Sequence, residues 1–184
     1  TGQLKALTGP SYQVETFSLS EDGSRLLYAG QEFRGVMSQK QELRELDLET
    51  LESKVLVEQG VFEIKFAGYG SDRIMVLATD HKLWLNENHG VYEYDREARA
   101  LRFLSKPDMA FGSSTGSDCR LGGGQYAVLE ENGLTCIVTQ RKGSNLVHIG
   151  WDGIVENLTD LPGSVDSMDK KQGKLVYVAM RDNR

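Results

Sequence analysis

The stretch VETFSLSEDGSRLLYAG, residues Val14 to Gly30, reads as a strand, a Gly-bearing turn and a second strand, and the chain repeats it. VFEIKFAGYGSDRIMVLAT (Val61 to Thr79), QYAVLEENGLTCIVTQ (Gln125 to Gln140) and VDSMDKKQGKLVYVAM (Val165 to Met180) superimpose on it. The turns Glu21-Asp22-Gly23, Gly68-Tyr69-Gly70, Asn132-Gly133 and Gln172-Gly173 supply residues that tolerate positive φ, as tight hairpin connections demand. Four hairpins are predicted.

Each of the first three hairpins is followed by a second pair of short strands: Glu42 to Leu48 with Lys54 to Val57, Val91 to Asp95 with Ala100 to Leu104, and Leu146 to Gly150 with Ile154 to Leu158. The outer strand carries a leucine each time, and the opening Lys5 to Pro10 looks like one more such strand, so that Leu7, Leu56, Leu104 and Leu158 lie 48 to 54 residues apart. Four antiparallel strands per 40 to 50 residues is the repeat of a propeller blade rather than of a leucine-rich solenoid. The predicted fold class is therefore all-β, a β-propeller fragment of four-stranded antiparallel blades. Its blades fall near 11–57, 61–104 and 125–158, with partial blades at 1–10 and 164–184. A set of blades with unfinished ends reads as a piece of a longer protein; a four-bladed ring with an incomplete last blade is the other arrangement open to it.

Composition excludes several classes of function. Among 184 residues, 26% are charged and 39% hydrophobic, and 27 acidic against 21 basic side chains leave a net charge of −6. No apolar run approaches the roughly 18 residues of a membrane span, and no leader pattern opens the chain. The acidic balance argues against a nucleic-acid backbone as partner, because that affinity rests on Lys and Arg. Cys119 and Cys136 lack zinc spacing and read as reduced thiols rather than a disulfide, which points to a reducing, cytoplasmic compartment. No metal and no cofactor are expected: His81, His89 and His148 form no HExxH, and Gly122-Gly123-Gly124 leads into a strand instead of a phosphate-binding helix. Asn157-Leu158-Thr159, a glycosylation acceptor by spelling, falls in an outer strand.

In a meander, the loop between the second and third strands emerges on the same side as the crossover to the next blade. Both kinds are long here, at Gln31 to Lys40, Asp80 to His89 and Ser105 to Gly124, so the functional face is placed on that side; long loops that merely vary are the competing explanation. Five residues there are candidate binding residues. Asp118 and Arg120 either tether the long crossover to each other or meet a peptide terminus. Phe33, Arg34 and Trp84 are bulky groups on exposed loops, suited to contact with another domain or simply exposed. Asp47, Asp95 and Asp152 recur before turns and are explained by turn chemistry. No GxSxG nucleophile motif is expected, and no catalytic residue is assigned.

The run from Leu146 to Thr159 (LVHIGWDGIVENLT), with Pro162 to Met168, Gly173 to Ala179, the Phe17 to Gly23 strand and turn, and Asp118 to Gly124 (DCRLGGG), resembles the propeller of prolyl-oligopeptidase-family serine peptidases, and among them the acylaminoacyl-peptidase-like branch. The resemblance implies a propeller that covers a C-terminal α/β-hydrolase domain carrying Ser, Asp and His, absent from these residues. It further implies that the propeller admits short peptides, excludes folded proteins and docks the hydrolase domain. Self-association through exposed blade faces is a further expectation, and a non-enzymatic interaction propeller of TolB-like or WD40-like type is the alternative.

Overall fold

The computed structural model describes residues 4–35, 38–83, 86–112, 125–141, 143–171 and 173–180. They form strands and turns with no helix among them, and the chain divides into two compact units, Thr1–Glu87 with Tyr92–Arg102, and Asn88–Val91 with Phe103–Arg184. The all-β expectation holds.

In the first unit, β1 (Tyr12–Leu19), β2 (Arg25–Glu32), β3 (Gln41–Asp47), β4 (Ser53–Gly70) and β5 (Arg73–Thr79) are neighbours in sequence order, followed by β6 (Gly90–Asp95) and β7 (Ala100–Ser105), of which Tyr92–Asp95 and Ala100–Arg102 belong to this unit. The two strands expected on either side of Gln59 are one strand, β4. Its first part pairs with β3 (Leu46 opposite Ser53, Leu43 opposite Val57) and its second part with β5 (Glu63 opposite Thr79 through Gly70 opposite Arg73). Gly60, at φ +101°, lies within the irregular stretch between the Leu43–Val57 and Gln41–Phe62 pairs, where a side chain would strain the backbone.

The turn expected at Gly68-Tyr69-Gly70 is also displaced. All three residues belong to β4, because Tyr69 is buried in the core and its hydroxyl is needed by Glu45; the reversal falls on Ser71-Asp72, with Ser71 at φ +57°. Gly23, at φ +70°, does turn the β1–β2 hairpin as expected. One apolar cluster draws on both meanders, with Leu27, Leu43 and Ile64 fully buried beside Leu56, Ile74 and Val76. Each such side chain contributes roughly 1.5–3 kcal/mol by leaving water.

The recurrent aspartates close the turns as anticipated. Asp47 Oδ1 accepts the N–H groups of Glu49 (2.9 Å) and Thr50 (2.8 Å), Asp95 Oδ1 those of Glu97 and Ala98 (both 2.9 Å), and Asp152 Oδ1 that of Ile154 (2.9 Å). The fourth residue after Asp47 and after Asp95, Leu51 and Arg99, is left-handed at φ +61° and +51°.

One polar junction is set into the first unit. Glu45 on β3 accepts the Tyr69 hydroxyl (2.9 Å) and a two-pronged contact from Arg96 (2.8 and 3.2 Å), while Arg25 stands 3.6 Å away and covers the Tyr69 ring at 5.4 Å. Burial raises the Glu45 carboxyl pKa, but the Arg96 and Tyr69 hydrogen bonds outweigh it and hold the group below its ordinary range.

In the second unit, β10 (Gly133–Gln140) pairs with β11 (Gly143–Ile149), which pairs with the short β12 (Val155–Asn157). The other edge of β10 takes two partners, β8 (Ala110–Phe111) and β9 (Ala127–Glu130). The long segment expected before this innermost strand therefore interrupts it. Ile137 donates to the Tyr126 carbonyl and accepts from the Gly112 N–H, both at 2.8 Å, so the chain leaves and rejoins the sheet at one residue. Phe111, 2% exposed, anchors the departing end. A hairpin of β13 (Ser164–Lys171) and β14 (Lys174–Met180) meets β11 through a single parallel pair, Ser144 with Ser164, and Val165 and Met168 pack on Ile137 and Leu146.

Two outcomes are expected. Arg99→Gly relieves a left-handed residue and raises stability by about 1 kcal/mol in chemical denaturation. Glu45 stabilises the fold when ionised, fully above its unfolded pKa near 4.5 and decreasingly as pH falls through its lower folded value. Glu45→Gln should flatten that acid limb in a series of melts.

Candidate functional site

The loop between β2 and β3 leaves from Glu32 beside a cavity of about 450 Å³ in the first unit, lined by Leu7, Tyr12, Tyr28, Arg34, Glu42 and Arg44 among others. The strand period builds it: Tyr28 alternates with Leu27 and Ala29, and Glu42 and Arg44 flank Leu43, so one face of the meander is core and the other polar. Tyr12 and Tyr28 meet edge to face at 5.8 Å, Arg44 Nε binds Glu42 at 2.6 Å, and Ser53 Oγ lies within reach of both Tyr28 (3.2 Å) and Arg44 (3.3 Å). Burial, reinforced by the Glu42 carboxylate, raises the Tyr12 phenol pKa. These groups can hold a polar ligand; none is a nucleophile set against a base.

Of the five residues expected to bind, Arg34 lines this cavity and Phe33, 44% exposed, precedes it with its N–H bound to the Ser11 carbonyl at 2.9 Å. Asp118, Arg120 and Trp84 lie outside the described residues, as do Cys119 and the Gly122 to Gly124 run. Sequence reasoning missed Tyr12, Tyr28 and Glu42, whose only signal was strand alternation on the face opposite the core.

A second polar cluster lies where β1 begins, β2 ends and β3 begins. Gln31 Nε2 donates to the Ser38 carbonyl (2.6 Å) and stands 3.5 Å from Gln13 Oε1; Gln41 Oε1 accepts the Ile64 N–H (2.7 Å); and His81 Nε2 meets Glu63 Oε2 at 2.6 Å. In the second unit, Thr135 Oγ1 lies 3.3 Å from His148 Nδ1 and accepts from Lys170 Nζ at 3.0 Å, and Lys170 also pairs with Glu130 at 2.6 Å. That hydroxyl–imidazole contact imitates a catalytic pair, but Thr135 is fully buried, so the network fastens β13 to β9 and β10.

One motif needs correcting. Gly112-Ser113-Ser114-Thr115-Gly116 spells GxSxG, the sequence of a nucleophile elbow, although no such motif was expected. An elbow joins a strand to a helix. Here the flanks are β8 and β9, both paired to β10, and Ser113 to Gly116 lie outside the described residues. Cys136 is a buried free thiol whose pKa burial raises, which makes it unreactive. Among the described residues no cluster of three His, Cys, Asp or Glu could hold a metal ion, and no helix is long and apolar enough to cross a membrane.

No family model and no curated protein matches the sequence. Solved structures do match. A puromycin hydrolase is similar over 96% of this chain at TM-score 0.69 and 14% identity, the β-propeller domain of the Trilobed protease from Pyrococcus furiosus over 93% at 0.53 and 15%, and a putative TolB from Agrobacterium tumefaciens over 84% at 0.58 and 12%. The chain has the β-propeller fold. It spans 27%, 62% and 52% of the length of those three chains.

The phenols provide a check. A raised pKa at Tyr12 and at Tyr69 means that stability is complete below the ordinary value of 10.0 and is lost as pH rises beyond it. Ultraviolet titration should show phenolate that forms only on unfolding, and Tyr12→Phe and Tyr69→Phe should each diminish it.

Proposed function

We propose that this chain is the propeller segment of a serine peptidase that cleaves short peptides, of oligopeptidase or acylaminoacyl-peptidase type, and that it serves as substrate gate and as docking surface for an α/β-hydrolase domain elsewhere on the polypeptide. The meanders at 11–57, 61–104 and 125–158 are its blades. The observation that carries this reading is the superposition of 96% of the chain on little more than a quarter of a puromycin hydrolase, which leaves length for a catalytic region in a protein so built. The sequence resemblance in the 146–179 region, made on different grounds, leads to the same class.

In this reading Arg34 and its cavity, with Phe33 beside it, contact the hydrolase domain or the entering peptide, and Asp118, Arg120 and Trp84 extend the same loop-bearing side. The exposed Phe17 and Leu19 on β1 and Val176 and Val178 on β14 suit further blade contacts or self-association. The chain works in the cytoplasm, in keeping with its free Cys136. The TolB likeness supports a second reading, a propeller with no enzyme attached.

Sequencing the complete coding region separates the two. A downstream hydrolase region with Ser, Asp and His is expected, and the full-length product should hydrolyse short blocked peptides but not a folded protein; a complete reading frame without that region would overturn the proposal.

A further inference from the structure

We draw no further inference here: the strongest candidate, the edge of β14 turned away from β13, which is unpaired among the described residues and bordered by the exposed Val176, Tyr177 and Val178, is an unpartnered apolar edge, and nothing in the structure shows what covers it.

Discussion

The first unit depends on β4 serving two meanders at once. Its Ser53 to Val57 part completes the sheet begun by β1, and its Glu63 to Gly70 part begins the sheet continued by β5. Because strand neighbours are held by main-chain hydrogen bonds and residues alternate between faces, this continuity fixes which residues of each meander can be buried. Leu56 and Ile64 enter the same cluster as Leu27 and Leu43, and neither meander could bury that surface by itself. Polar groups then specify the register: a one-residue slip of β4 would carry the Tyr69 hydroxyl away from Glu45 and its ring away from Arg25.

The second unit solves the same problem with an interrupted strand. Phe111 and Ala127 occupy the same edge of β10 although sixteen positions separate them, and Ile137 satisfies both flanking main-chain groups. The two partners of this edge are held independently, one by the burial of Phe111 and the other by the Ala127 to Glu130 pairing. The ladder on this edge of β10 is thus shared by two segments of the chain, with β10 itself uninterrupted.

The polar sites follow from these constraints rather than from special motifs. The face opposite Leu27 and Leu43 collects Tyr12, Tyr28, Glu42 and Arg44, and the sheet end near the long loops collects Gln31, Gln41, Glu63 and Lys65. Both sites are built on strands and only rimmed by loops. This gives them fixed geometry.

Periodicity and turn residues in the sequence were enough to determine the all-β class, the β1–β2 turn at Gly23 and the capping by Asp47, Asp95 and Asp152, because these depend on contacts a few residues apart. The GxSxG spelling at Gly112 shows the opposite limit, since three fixed letters in five positions carry no information about whether a helix follows. Only the tertiary structure decided that β4 is one strand, that Gly68 to Gly70 lie inside it, and that Gln31 meets Ser38 while Gln41 meets Ile64. Those outcomes depend on residues distant in the chain, Glu45 for Tyr69 and Ser38 and Ile64 for the two glutamines, and no local pattern encodes which of them will meet.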